Sequence, residues 1–409
     1  MSRRAVIVIA PAWHSCGSYQ VFKAQIDAYM ALGFETYFLA VSPTMLTEAY
    51  SKDYWNYYLR MTPDIRSTVR GEAYMNNLSK IWPSAILNGI EARWRTVSYW
   101  RTLPARLARM PYSVRKFVTS NDVKIIHCNH YFNLPIAKKI KSWTKGAKIV
   151  CETHDIQSRH MITSDPVHPL TGIIGDYASY LSDELRCCED ADELIHLNDQ
   201  EYGFFQRMLP QKIHHLIYPS VPRPPAPMKG ALDIDFLIVA SCNLPNYKSL
   251  CWFLDEVWDK KLNKIATLKI VGNIDFLFLN DSDERYKRYG DIFVGRVDNV
   301  TPWYHRTRTV LAPVTEGQGI AVKTIEAFSY GIPFLFSPLA IRGFDNQAEV
   351  KKLTGICKTA AEFKKAIRNR LPKKDKKNVR ERNKAALRVY ESLFAPEMYR
   401  KKISELFTS

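Results

Sequence analysis

The first 41 residues carry two hydrophobic rhythms in succession. AVIVIAP (5–11) is an unbroken, largely β-branched run closed by proline, the pattern of a strand buried on both faces of a parallel sheet. After the polar loop WHSCGS, the stretch YQVFKAQIDAYMALG places Val21, Phe22, Ile26 and Met30 at helical spacing, and Gly33 supplies the stop. FETYFLAV (34–41) is a second strand, which completes a βαβ unit. From 45 to 115 the chain is rich in Tyr, Trp and Arg and lacks a clean period of two, so it reads as helices and long loops. Alternation then resumes with VKIIHCN (123–129), a helix through PIAKKIKSWTK, KIVCETH (148–154), and a further helix and strand in LSDELRCCEDADELIHLN.

YPSVPRPPAPMKG (218–230), with five prolines and a glycine, interrupts this rhythm as an interdomain linker. Beyond it the rhythm restarts: FLIVAS (236–241), a helix through SLCWFLDEVWDKKL, LKIVGN (268–273), IFVGRV (292–297), VLAP (310–313), the helix AVKTIEAFSYG and PFLFSP (333–338). A second parallel sheet follows from that pattern. The expected architecture is therefore α/β, with a doubly wound domain over 1–217, the linker 218–230, a second such domain over 231–385, and a C-terminal helix in 386–409 that packs back on the first domain. No repeat of 20 to 50 residues is visible.

Composition narrows the function classes. A net charge of +17 calls for an acidic partner, whether nucleic acid, an anionic membrane surface or a phosphorylated ligand, and charge alone does not choose. The N-terminal apolar run is too short for a signal sequence, and no stretch has the ~20 apolar residues of a membrane span, so a cytoplasmic protein is expected. Eight cysteines are scattered without zinc spacing, and most read as core residues. The run PKKDKKNVRERNKAALRVYESLF and the basic, aromatic stretch 93–117 are each either a solvated face or a contact with an anionic inner-membrane surface.

The densest chemistry lies in PVTEGQGIAVKTIEAFSYGIPF (313–334). A strand ends at Pro313, a Gly-rich turn follows, and a helix begins near Ala321, an arrangement that offers backbone N–H groups and the positive end of a helix dipole to an anion. Lys323 in the first helical turn adds a point charge suited to a diphosphate. Glu326 is unsuited to phosphate but could accept hydrogen bonds from ribose hydroxyls, or it could be an ordinary surface glutamate. His154 and Asp155 stand at a strand end, where a histidine can serve chemistry or structure. Asp281 and Asp283 have D-x-D spacing but read as a surface turn, so neither a catalytic metal nor another cofactor is expected.

The run GQGIAVKTIEAFSYGIPFLFS followed by AIRGF resembles the C-terminal signature of family-4 retaining glycosyltransferases (glycosyl transferases group 1), which have the GT-B fold of two Rossmann-like domains facing across a cleft. VASCNLPNYKSLCWFLDEVW, LKIVGN and FVGRVDNV resemble its donor domain, while IAPAWHSCGSYQ and CETHDIQSRH resemble the first strand loop and the strand end bearing the family's histidine. The resemblance implies that Gly17 and Ser18 face the diphosphate, that Lys248 neutralises phosphate charge, and that Val297 frames the base. Gly317, Gln318, Gly319 and Ile320 would approach sugar and diphosphate, Lys323 would assist, and Glu326 would hold the ribose. His154, Asp155 and Glu316 would line the catalytic centre.

Three departures stand out against the family pattern. Glu316 and Glu326 have nine residues between them rather than seven, the usual phosphate arginine is replaced around Ser241–Asn243, and the first glycine pair is reduced to Gly17-Ser18. The implied activity moves a sugar, with retention, from a nucleotide-diphosphate sugar to a glycan or lipid-linked acceptor in bacterial surface polysaccharide synthesis. An epimerase-like reaction on the nucleotide sugar is the alternative. A basic nucleic-acid-binding protein is a weaker one, since no RNA- or DNA-binding motif is present and no nucleic-acid partner is expected.

Overall fold

The computed structural model describes residues 3–13, 17–41, 58–60, 62–69, 71–75, 102, 105, 110–159, 177–226, 232–279, 286–371 and 383–408. Contacts divide the chain into two compact units, Met1–Pro219 with Tyr399–Ser409, and Ser220–Met398. The first holds a parallel sheet of seven strands, β1 (Arg4–Pro11), β2 (Glu35–Val41), β3 (Gly71–Met75), β4 (Asp122–Asn129), β5 (Lys148–Glu152), β6 (Glu193–His196) and β7 (Ile213–Leu216), in the order 3-2-1-4-5-6-7. The second holds five, β8 (Ile234–Val239), β9 (Leu268–Val271), β10 (Phe293–Gly295), β11 (Thr307–Ala312) and β12 (Phe334–Phe336), in the order 10-9-8-11-12. Five helices matter below: α1 (Gly17–Ala31), α2 (Leu244–Trp252), α3 (Thr301–Arg306), α4 (Val322–Ser329) and α5 (Pro396–Glu405).

Both faces of the first sheet are covered, which explains the unbroken apolar run of β1. Ile7, Ile9 and Leu39 enter one buried cluster, while Val6, Val8 and Phe38 enter another with Phe22, Ile26 and Tyr29 of α1. Tyr399 and Ile403 of α5, with Leu406 beyond it, complete the second cluster. In the other unit Phe236, Ile238, Leu268 and Ile270 form the equivalent core with Phe253, Leu254 and Trp258.

The segment 45–115 departs from its sequence reading. It contains β3, paired in parallel with β2 from Tyr37↔Gly71 to Val41↔Met75. Five residues at a sheet edge carry too little alternation to show a period of two, and the partner strand supplies the hydrogen bonds that decide the conformation. The short β7, IHHL, also went unread for the same reason.

Each sheet reverses its strand order once, between β1 and β4 in the first unit and between β8 and β11 in the second. Ligands of such sheets gather at the carboxyl ends of the strands flanking the reversal. This directs attention to Pro11–Trp13, Gly17–Ser18 and Asn129–His130 in one unit, and to Ala240–Asn243 and Pro313–Ala321 in the other.

Candidate active site

In the second unit the loops after β8 and β11 are tied together by side chains. Asn243 caps α2 by accepting from the Asn246 N–H at 2.9 Å, and the Asn246 amide donates back to the Ser241 carbonyl at 2.9 Å. Ser249, buried on α2, accepts from the Thr315 N–H at 3.0 Å and so fixes where the β11 loop begins. Lys248 reaches Glu316 across the same gap, with Nζ 3.2 Å from Oε2 and both side chains about half exposed. At that exposure the pair contributes little to stability, and it puts Glu316 beside the lysine named for phosphate.

The glycine turn is shaped by Arg342. Its Nη2 donates to the Gln318 carbonyl at 2.7 Å and its Nη1 to the Leu339 carbonyl at 2.7 Å. Gly317 (φ 126°) and Gly319 (φ 64°) both lie in the left-handed region, and a Cβ on Gly317 would come within 3.0 Å of the Arg342 guanidinium. Past the turn, Ala321 precedes α4 without offering a side-chain cap, so the first-turn N–H groups keep their affinity for an anion.

Lys323 points back toward α2 and donates to Asn246 Oδ1 at 2.8 Å. Desolvation, followed by the nearby Arg342 charge, lowers its pKa to about 8, with Glu326 acting in the opposite direction. Glu326, partly buried one turn further along α4, is raised to about 6 by desolvation, against the lowering effects of the Tyr304 hydrogen bond and Lys323. Tyr304 donates to Glu326 Oε2 at 3.2 Å. Ile320 is half-buried in the turn, and Val297 is a half-buried loop residue just beyond β10. The structure therefore gathers Lys248, Glu316, Gly317, Gln318, Gly319, Lys323 and Glu326 around one switch point.

The first unit has its own constellation. Gly17 and Ser18 open α1 after β1, and His154 follows β5 with φ 64°, a conformation rare for a residue with a side chain. His154 is buried, its Nε2 lies 2.7 Å from Asn129 Oδ1, and its ring stacks on His130 with centroids 4.2 Å apart. Asn129 donates through Nδ2 to the Ile9 carbonyl and to Gln25, so Oδ1 must be the acceptor and His154 must carry its proton on Nε2. Desolvation lowers the His154 pKa to about 4, Glu152 pulls the other way, and the ring is neutral at neutral pH.

Glu152 is fully buried between two histidines, with Oε2 3.2 Å from His127 Nε2 and Oε1 3.4 Å from His154 Nε2. Asp155 is half-buried, and its charge helps raise the pKa of buried Glu184 to about 7, behind the larger effect of desolvation.

Residues 235–371 match the family model described as glycosyl transferases group 1. Solved structures of low sequence identity share the fold across the whole length. A glycosyltransferase from Rickettsia africae is similar at 12% identity with a TM-score of 0.60, covering 99% of this chain and 98% of that one. The pneumococcal O-GlcNAc transferase GtfA, solved with UDP and GlcNAc, is similar at 10% identity with a TM-score of 0.63, covering 99% of both chains.

The chain has the GT-B fold, and its residues 235–371 are similar to the glycosyl transferases group 1 family. Anabaena HepE, solved with UDP and glucose, has a TM-score of 0.61 to it at 12% identity over 99% of both chains. No curated protein matches in sequence.

The part of the chain matched by the family model contains Lys248, Val297, the 316–320 turn, Lys323 and Glu326. It also contains three residues that sequence reasoning did not single out. Asn246, in the first turn of α2, stood in the quoted VASCNLPNYKSLCWFLDEVW without a role, as Arg342 did in AIRGF, and Tyr304 had no signal at all in TPWYHR. Among the described residues no group of three or more His, Cys, Asp or Glu could hold a metal ion, and none of the helices is long and apolar enough to cross a membrane. Asp281 and Asp283, Cys16, the basic run 372–382 and most of 93–109 lie outside the described residues.

Proposed function

We propose that the protein is a glycosyltransferase that takes its sugar from a nucleoside diphosphate sugar bound at the β8/β11 switch point, with a UDP-sugar as the first donor to test. The observation that carries this reading is the pairing on α4 of a lysine at an uncapped, glycine-turned helix start with a partly buried glutamate one turn on. The lysine and the uncapped helix start suit a diphosphate, and the carboxylate suits a ribose diol. HepE and GtfA, both solved with UDP, support the choice of nucleotide.

The acceptor in this proposal is a glycan or lipid-linked glycan of a bacterial surface polysaccharide, and transfer proceeds with retention. The enzyme works on the cytoplasmic face of the membrane, where +17 net charge favours an anionic surface. As the glycosidic bond to the diphosphate breaks, negative charge grows on the leaving oxygen. Lys248, Lys323 and the α4 N–H groups stabilise that charge, while the departing phosphate can take the acceptor's proton. On this reading no metal is required. In the first unit Gly17 and Ser18 are assigned to the donor, and His154 with Asp155 to the catalytic centre; the neutral His154 ring offers hydrogen bonds rather than charge.

A thermal-shift screen against a panel of UDP- and GDP-sugars tests the donor reading. One donor at about 100 times its dissociation constant should raise the melting temperature by roughly 5 °C or more. Glu326→Ala should abolish that rise. Silence across the panel, or an undiminished shift in Glu326→Ala, would sink the reading.

A further inference from the structure

Glu326 is held from outside its own helix. Tyr304, on α3, is fully buried, and its hydroxyl ends on Glu326 Oε2 at 3.2 Å. Its ring stacks on Tyr330, with centroids 4.5 Å apart and planes 19° from parallel. Tyr330 follows Glu326 by four residues, so the two project from the same side of α4. The Tyr330 hydroxyl is fixed in turn by Thr301 Oγ1 at 2.9 Å, and the His305 ring stands edge-on to it at 5.6 Å.

Packing alone would be satisfied by phenylalanine at 304, because the stack needs only the ring. The hydroxyl is instead spent on an ionisable carboxylate that is itself only partly buried. One oxygen of Glu326 is thereby committed to the phenol, which leaves Oε1 in a defined orientation as an acceptor.

We propose that Tyr304, braced by Tyr330 and Thr301, is a positioning residue that aims the Glu326 carboxylate at the ribose hydroxyls and so sets the enzyme's preference for ribo- over deoxyribonucleotide donors. The inference rests on the assignment of Glu326 to the ribose. Tyr304 remains a donor across the working range, since burial and the adjacent carboxylate raise its pKa well above the ordinary phenol value. The charged and titratable groups around Glu326 are Lys323 on the same helix, Tyr304 and Tyr330. Among them, the Tyr304 hydrogen bond favours the carboxylate form.

Binding of UDP and of 2′-deoxy-UDP is measured by calorimetry between pH 5.5 and 8.5 for the wild type, Tyr304→Phe, Tyr330→Leu and Glu326→Gln; the guanosine pair replaces them if GDP-sugars give the larger thermal shift. Tyr304→Phe should cut the ribo-to-deoxy affinity ratio about three- to tenfold and move the acid midpoint of ribonucleotide binding upward, because a bond that favoured the carboxylate has gone. Tyr330→Leu, which removes the stacking face, should shift both readouts the same way and serves if Tyr304→Phe does not fold. A purely structural role would lower the melting temperature and leave ratio and midpoint alone, and that result overturns the inference. If Glu326→Gln keeps the wild-type ratio, the ribose assignment itself falls and the inference with it. If Glu326→Gln loses the preference while both tyrosine variants keep it, only the inference falls.

Discussion

Lys323 and Glu326 stand one turn apart on α4, and their environments push their pKa values toward each other, to about 8 and about 6. Desolvation is the leading cause for both, because it disfavours the ammonium as well as the carboxylate. On the proposed donor reading the lysine binds the diphosphate only while protonated, so affinity should fall as pH rises through about 8. On the same reading the glutamate accepts from ribose hydroxyls best while ionised, so affinity should also fall as pH drops through about 6. Donor affinity should therefore peak between these values, and Lys323→Met should remove the alkaline limb and weaken binding about 10- to 100-fold. Calorimetry across pH 5.5 to 9 checks this, and an intact alkaline limb in Lys323→Met would refute it. The sequence showed both residues on one helix face. It could not show Asn246, 77 positions earlier, accepting a hydrogen bond from Lys323, because that contact exists only once the segments after the neighbouring strands β8 and β11 have packed together.

Among the elements, the strand ends of the second sheet are set by backbone approach as much as by hydrophobic pattern. Gly272, just past β9, has φ 126°, and a Cβ there would lie 2.0 Å from the Ala240 carbonyl oxygen at the end of β8. Its N–H donates to the Gly295 carbonyl at 2.8 Å, which sets the spacing of β9 and β10. Gly272→Ala should cost roughly 3 kcal/mol or more and disturb the Ala240–Asn243 loop, since the obstacle is backbone rather than a side chain that can turn away. Urea unfolding measures it, and a change below about 0.5 kcal/mol would contradict the contact. In LKIVGN the glycine read only as the end of a strand. The long strands β1, β2 and β4 were legible because their apolar runs are buried on both faces, whereas β3 is made by its neighbour.

At the scale of the molecule, the last residues of the chain belong to the first core. Tyr399, Ile403 and Leu406 are buried beside Phe22, Ile26 and Tyr29, and Phe407 stacks on Phe34 with centroids 4.3 Å apart. Lys148 adds a bond to the Leu406 carbonyl at 3.1 Å. Ile403→Ala should destabilise the first unit by about 2–4 kcal/mol, the usual cost of a buried isoleucine with its cavity. Calorimetric unfolding reads this as a lowered transition for that unit, and an unchanged thermogram would show that α5 does not complete the core. The expectation of a C-terminal helix was drawn from its charged, periodic sequence. Its burial against α1, nearly four hundred residues upstream, depends on which apolar face α1 leaves open.

Taken by itself, the sequence determined the α/β class, the parallel sheets, most strand positions and the one turn-helix segment dense enough in glycine, lysine and glutamate to hold an anion. Those features are local, because each follows from hydrophobic period, from proline and glycine, or from residues within a single turn. The tertiary structure alone decided the strand orders that put the switch points where they are. It also decided the Arg342 brace on the glycine turn, the neutral Nε2–H form of His154, and the Tyr304 hydroxyl on Glu326. Each of these depends on groups far apart in sequence that only packing brings within hydrogen-bond reach, and on burial that moves their proton affinities once they arrive.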